Sequence, residues 1–271
     1  MAFFKQFPKV PYDLYRDGVK LNITDLYRSV SPLASTLDNA ITYKFYEIKN
    51  GERPDIVSQR LYGTPDYYWT FFIVNDFLHD GLAAWPMSQE ELLEYQNTEY
   101  NGWVINTRPE IIRDTNGIII DTRNSLAGRF EVGEEVVGSI SGTRGTVTKK
   151  IMDLNQLVIQ NVTGPGFIGD PDNINNQSEL IIGQTSTDSV STWESFTYRE
   201  APHFYYRTDD PTRRLVDNGV FIQGGEPASD LSFMTNREYL FRLNEKRSNI
   251  KVVDPNYIEQ FIDLYEEALN A

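Results

Sequence analysis

The stretch from about Asn124 to Phe196 constrains this chain most, because it is written largely in Gly, Ser, Thr, Val and Ile and shows no helical period. Turn signals recur in it roughly every 8 to 12 residues, as between the short strands of a sandwich or barrel. A block of about 70 such residues can bury a core of its own, so we expect a small all-β domain inserted here. Within it Gly133-Glu134-Glu135-Val136-Val137-Gly138-Ser139-Ile140-Ser141 is loosely echoed by Ser178-Glu179-Leu180-Ile181-Ile182-Gly183-Gln184-Thr185-Ser186. The glycine-rich Ser141-Gly142-Thr143-Arg144-Gly145-Thr146 lacks the Lys-Ser/Thr ending and the following helix of a phosphate loop. It reads as a hairpin turn.

The flanking text is aromatic and helical. Tyr43 to Lys49 alternates as a strand and ends at the Asn50-Gly51 turn signal. Pro54 suits a first helical position, Ile56, Val57, Arg60 and Leu61 carry helical spacing, and Gly63 stops the run. Tyr68, Trp69, Phe72, Ile73 and Asp76 predict a second, buried helix. Ser88-Gln89-Glu90-Glu91 is a capping box that opens a third. Residues 103 to 122 alternate around Asn116-Gly117, a hairpin signal. After a Gly224-Gly225 turn, Glu238 to Arg247 predicts a helix and Lys251 to Val253 an extended piece. Asp254-Pro255 opens a last helix whose Ile258, Phe261, Ile262, Tyr265 and Leu269 form one apolar stripe. That stripe must be covered by the chain's own core or by a neighbour, and it is the candidate interaction surface. Residues 1 to 40 are broken by Pro8, Pro11, Gly18 and Pro32, with helical turns expected only over Thr24 to Val30. Their Phe3, Phe4, Phe7, Tyr12, Leu14 and Tyr15 also need covering.

Charge narrows the partners. With 25 Lys and Arg against 39 Asp and Glu, the net charge of −14 repels phosphate backbones, so no nucleic acid is expected. No apolar run approaches the roughly 20 residues that span a bilayer, so no membrane is expected either. The absence of cysteine excludes disulfides and thiolate metal sites and fits synthesis in a reducing cytoplasm, and no export by the usual route is expected from Met1-Ala2-Phe3-Phe4-Lys5. The two histidines, His79 and His203, have no second ligand at metal-binding spacing. No Gly-x-Ser-x-Gly elbow or other nucleophile signature occurs, and Glu90, Glu91, Glu94 and Glu99 read as a solvated helix face. We expect no catalytic residues, metal or cofactor.

The segment Tyr46-Glu47-Ile48-Lys49-Asn50-Gly51-Glu52-Arg53-Pro54, followed by Leu61-Tyr62-Gly63 and Val74-Asn75, resembles a LysM-type module. Together with Asn22-Ile23-Thr24-Asp25-Leu26-Tyr27-Arg28, Tyr68-Trp69, Asn75-Asp76, Trp85, Ser88-Gln89-Glu90 and Asn249-Ile250-Lys251-Val252-Val253-Asp254, it is similar to the LysM-containing baseplate wedge subunit of T-even-like contractile-tailed phages. The likeness covers about residues 10 to 105 and 235 to 269, and the block at 124 to 196 departs from it. It implies a non-catalytic virion protein, made in the host cytoplasm, that joins neighbouring wedges around the tail hub. Its implied partners are other baseplate wedge and hub proteins, with multiple copies arranged in a ring. The alternative is a LysM-type protein binding peptidoglycan through a groove at Gly51, Glu52 and Arg53 with Asp76 to Gly81. Against that, Trp85-Pro86 and a new helix replace the usual second-strand ending.

The expected fold is therefore α+β: a LysM-like strand-helix-helix module with flanking helices and an inserted small all-β domain. The expected boundaries are an extended arm at 1–40, the LysM-like module at 41–123, an inserted β-barrel or sandwich at 124–196, and a segment at 197–271 that completes the first domain.

Overall fold

The computed structural model describes residues 7–25, 43–169, 178–215 and 231–270. Among them are fifteen strands and five helices, numbered here β1–β15 and α1–α5 in chain order. The chain divides into two compact units, Met1–Leu92 with Arg242–Ala271, and Leu93–Phe241.

The first unit opens with a hairpin, β1 (Lys9–Tyr12) and β2 (Leu21–Thr24). β3 (Tyr43–Glu47) follows, then α1 (Pro54–Tyr62) and α2 (Trp69–Val74). α1 has the expected punctuation, with Pro54 in its first turn and Gly63 at a φ of 74° closing it. α3 (Gln89–Glu99) starts at the expected capping box: Ser88 Oγ accepts from the Glu91 amide at 3.2 Å, and the Glu91 carboxylate accepts from the Ser88 amide at 2.8 Å. Those bonds hold the Glu91 carboxyl below its ordinary pKa.

β15 (Asn249–Val253) pairs antiparallel with β3 over its whole length, Asn249 against Glu47 and Val253 against Tyr43. This pairing overturns the expected fold class. A strand-helix-helix module closes on a strand that follows its second helix, whereas here the chain leaves α2 through 3-10 turns at Asp76–Leu78 and Gly81–Ala84. The strand beside β3 comes from near the other end of the sequence. A buried asparagine fixes the join: Asn75 donates to the carbonyls of Phe71 and Lys251 at 2.8 Å each, and its Oδ1 accepts from the Lys251 amide at 2.8 Å. The Asn75 side chain thus serves as a strand partner to β15. The fold is mixed, with helices and many strands that include a closed barrel; no LysM module is present among the described residues.

Two apolar clusters fill the unit. Ile48, Val57, Phe71, Leu78, Trp85 and Ile250 form one. The other gathers Phe7, Trp69 and Val253 against α5 (Ile258–Asn270).

The second unit is built on a closed six-stranded antiparallel barrel in the order β10-β11-β4-β9-β8-β7. Its strands are β4 (Trp103–Thr107), β7 (Glu135–Gly138), β8 (Arg144–Ile151), β9 (Gln156–Thr163), β10 (Leu180–Gly183) and β11 (Ser189–Thr197). β4 lies outside the stretch 124–196. Ile105, Val136, Val147, Leu157, Ile159 and Ile181 fill the barrel. Beside it stand the hairpin of β5 (Glu110–Arg113) and β6 (Ile119–Arg123), turning at Asn116-Gly117 as expected, and the sheet β13-β12-β14. The strands of that sheet are β12 (Pro202–Arg207), β13 (Asp210–Leu215) and β14 (Leu231–Thr235). α4 (Asn236–Ser248) opens on a second capping box, Thr235 with Glu238. The boundaries between the units fall inside α3 and α4. Phe3, Phe4, the helical turns expected after Asp25 and the Gly224-Gly225 turn lie outside the described residues.

The internal echo has a physical meaning. β7 and β10 pair antiparallel, with Ile181 opposite Gly138 and Gly183 opposite Val136, so the two copies face each other around a local two-fold. Buried Glu179 accepts from the Ile140 amide at 3.1 Å, the Ser141 amide at 2.9 Å and the Ser141 hydroxyl at 3.0 Å, all in the turn that follows β7. Its counterpart Glu134 accepts from the Ser186 amide at 3.1 Å and the Ser186 hydroxyl at 3.2 Å, in the turn that follows β10. Each glutamate caps the other copy's turn. A Cβ on Gly138 would lie 2.5 Å from Glu179 Oε2, and one on Gly183 2.7 Å from Glu134 Oε2. Glycine at both places makes room for the carboxylates.

Candidate interaction surfaces

Gly51, Glu52 and Arg53, the expected glycan groove, form a tight turn in which the middle residue faces inward. The Glu52 carboxylate accepts from Tyr46 Oη at 2.8 Å and from the Lys49 amide at 3.1 Å, and it pairs with Arg60. Its backbone carbonyl accepts from Trp85 Nε1 at 2.8 Å. Glu52 thereby ties β3, α1 and the segment after the 3-10 turns together, and all its strong contacts are internal. Arg53 is exposed and pairs with Asp55 at 3.1 Å. Of the other expected groove residues, His79 is exposed and lies 3.3 Å from Asp80.

The stripe on α5 is spent within its own unit. Ile258, Phe261, Ile262, Tyr265 and Leu269 are all buried, and the Tyr265 ring lies 5.0 Å from that of Trp69. Phe7 and Val253 complete the cluster. Burial pushes the Tyr265 hydroxyl pKa up. Asp254, at the turn before the helix, accepts from the Asn256 amide at 2.9 Å and from Lys44 at 2.8 Å, which holds its carboxyl below the ordinary range. The stripe therefore offers no free face to a neighbour.

An uncovered apolar surface occurs instead on the β1–β2 hairpin. The register sets Val10 opposite Ile23 and Tyr12 opposite Leu21, which brings four apolar side chains to one face, while Lys9, Pro11, Asn22 and Thr24 occupy the other. All four apolar residues are exposed, as are Leu14, Tyr15 and Val19 in the connecting loop, where Tyr15 reaches 73%. The loop holds its own shape: the Asp13 carboxylate accepts from the amides of Asp17 and Gly18 at 3.2 and 3.0 Å. Gly18 adopts a φ of 85° that favours glycine. A two-stranded hairpin standing alone is marginal in water. This one projects an apolar face from a segment anchored by buried Phe7, an arrangement suited to docking on another protein. The sequence had marked Tyr12, Leu14 and Tyr15 as needing cover, but the strand pairing that aligns the face was not legible in it.

Residues 1–114 match the family model of base plate wedge protein 53. The match spans the hairpin, β3, α1, α2, the Glu52 turn, α3, β4 and β5, and it ends before most of the barrel. The match covers less than half of the chain, and the family it points to is one of phage base plate wedge proteins. No curated protein matches the chain.

Of the histidines, His203 stacks on Tyr239 with ring centroids 3.8 Å apart and shares a 2.8 Å hydrogen bond with Asn236 Oδ1. No group of three or more His, Asp or Glu side chains able to hold a metal occurs among the described residues. No helix among them is long and apolar enough to cross a membrane.

Proposed function

We propose that this chain is a structural wedge subunit of a contractile phage tail baseplate, joining neighbouring wedges around the tail hub in multiple copies arranged in a ring. The observation that carries this reading is the wedge-family match over residues 1–114, the stretch that also bears the uncovered hairpin face. The hairpin is the joining element, and its partners are wedge and hub proteins. Unit 1 supplies its anchor by holding Phe7 in the core around α5.

The test is co-purification of the chain with its wedge partners, comparing the natural sequence with Tyr12→Asp/Ile23→Asp. The natural chain assembles at a fixed ratio. The variant keeps its helical spectrum and melting temperature, because neither side chain belongs to the cores of unit 1, and fails to assemble. Assembly unchanged in the variant would refute the hairpin's role. Absence of the natural chain from purified particles would refute the wedge reading.

A further inference from the structure

We propose that the mouth of the six-stranded barrel is a binding site for a hexopyranose ring. At the end of the barrel where β4 begins and β9 and β11 finish, a cleft of about 380 Å³ opens. Trp103 and Val162 line it while also packing on the barrel core, so the cleft lies directly over the capped interior. Barrel mouths are frequent places for small-ligand sites.

The polar lining comprises Asn97, Asn101, Asn161, Thr197 and Arg199. Among the described residues no hydrogen bond or ion pair engages the side chains of these five. Three carboxamides and a hydroxyl each both donate and accept, the pairing that adjacent sugar hydroxyls require. Two aromatic residues, Trp103 and Tyr100, line the same cleft and add apolar surface for the C–H side of a pyranose. Burial and neighbouring Tyr198 push the Tyr100 hydroxyl up to about 12, so it is neutral at physiological pH and available as a donor. Among the described residues no Asp or Glu lines the cleft, and Arg199 is the one charged residue that does. That composition disfavours a divalent cation, which needs carboxylate oxygens, and a polyphosphate, which needs several positive groups. It suits a neutral ring, or one bearing a single acidic substituent opposite Arg199.

The backbone here is shaped at a cost. Asn161 holds a φ of 52° inside β9, where the register with β8 shifts between Arg144 and Thr146, so an exposed amide is re-aimed by a bulge. Gly102 holds a φ of 104°, and a Cβ there would lie 2.2 Å from the Ile159 carbonyl oxygen, leaving no room for any side chain between Asn101 and Trp103. These distortions fall on the strand ends that line the cleft.

Sugar binding and particle assembly are separate readouts, so this site stands or falls independently of the wedge reading. The test is saturation-transfer NMR and calorimetry on the full chain with glucose, galactose and N-acetylglucosamine, and with inorganic phosphate as the anion control. N-acetylglucosamine separates a cell-wall source from an outer-polysaccharide source, for which a neutral hexose is preferred. We expect saturable binding of at least one sugar, weakened about tenfold or more by Asn161→Gly and by Arg199→Ala with no change in melting temperature. Glycine keeps the left-handed backbone and removes only the amide, and Arg199 is exposed, so neither change disturbs the fold. No sugar binding, or binding that survives both substitutions together, would overturn the proposal. Phosphate bound in preference to every sugar and lost in Arg199→Ala would overturn the ligand class.

Discussion

Removing the Glu179 carboxylate tests the reciprocal caps of the barrel most directly. Besides the three bonds from Ile140 and Ser141, Glu179 accepts from the Ile168 amide at 2.6 Å, and its side chain is buried. In Glu179→Ala three backbone amides and one hydroxyl lose their acceptor. The hydroxyl can turn to another partner, but the amides belong to turns that must stay where they are. A hydrogen bond to a charged acceptor contributes about 1.5–3 kcal/mol, and a buried donor left unpaired costs about 1–3 kcal/mol. Allowing for water reaching one of the amides, the loss should be about 3–5 kcal/mol, a large share of the roughly 5–15 kcal/mol that stabilises a domain. Glu134→Ala should cost less, because Glu134 has one fewer donor partner, from Glu131 at 2.7 Å and Ser186. Hydrogen exchange of the barrel amides reads the effect without requiring the two units to unfold together. Protection should fall throughout β7, β8 and β10 in Glu179→Ala and by a smaller factor in Glu134→Ala. A Glu179→Ala barrel within about 1 kcal/mol of the natural one would refute the argument, as would the reverse order of the two variants.

Three further outcomes follow from the same geometry. Phe261→Ala should destabilise the first unit by about 3–5 kcal/mol, since the ring is buried among Trp69, Val253 and the rest of α5; denaturant unfolding followed by helical circular dichroism measures it. Asn75→Ala should cost about 2–4 kcal/mol by orphaning the Lys251 amide and carbonyl, with lost exchange protection confined first to β15. Burial, helped by Arg214 and Lys149 and opposed by the Asn236 hydrogen bond, pushes the His203 pKa below its ordinary value of about 6.5. The unfolded chain therefore binds a proton first as pH falls. The stability owed to neutral His203 is fully present above about pH 6.5 and is lost as pH drops through the folded-state value, so melting temperature should decline over that window. His203→Gln should flatten the decline.

Local chemistry was legible in the sequence, and long-range pairing was not. Pro54 and Gly63 bound α1 as expected, Ser88 and Glu91 cap α3, and Asn116-Gly117 turns a hairpin. Each signal acts within a few residues, where propensity and capping decide the outcome. The LysM-like text around Gly51 to Pro54 misleads for the same reason. Its residues do build a strand, a turn and a helix start, but Glu52 reads as a surface residue until Tyr46, Arg60 and Trp85 are folded around it. Nothing local says that β3 will wait for Asn249–Val253 to pair with it. The α5 stripe carried the same ambiguity: five apolar residues demand cover, and periodicity is silent on whether the cover is Trp69 or a neighbour.

The echoed segments in the barrel show what would have made more of the structure readable. Each copy holds a glutamate, then a glycine four residues on, then a serine three beyond that: Glu134, Gly138 and Ser141, and Glu179, Gly183 and Ser186. Among the described residues neither buried carboxylate has an ion-pair partner, so each needs backbone amides, and a turn with glycine at its start offers them. Antiparallel pairing of two copies brings each glutamate to the other's turn, so the motif can satisfy itself only as a pair. A single copy would leave its turn amides without the carboxylate that caps them. The reciprocal caps thus tie the two strands of the β7–β10 seam to each other, and substituting Gly138 or Gly183 by Ala should open that seam from either side by the same mechanism. Overpacking of this kind costs about 1–3 kcal/mol. Exchange protection lost across both β7 and β10 in either variant would show the coupling, and loss confined to the substituted strand would refute it.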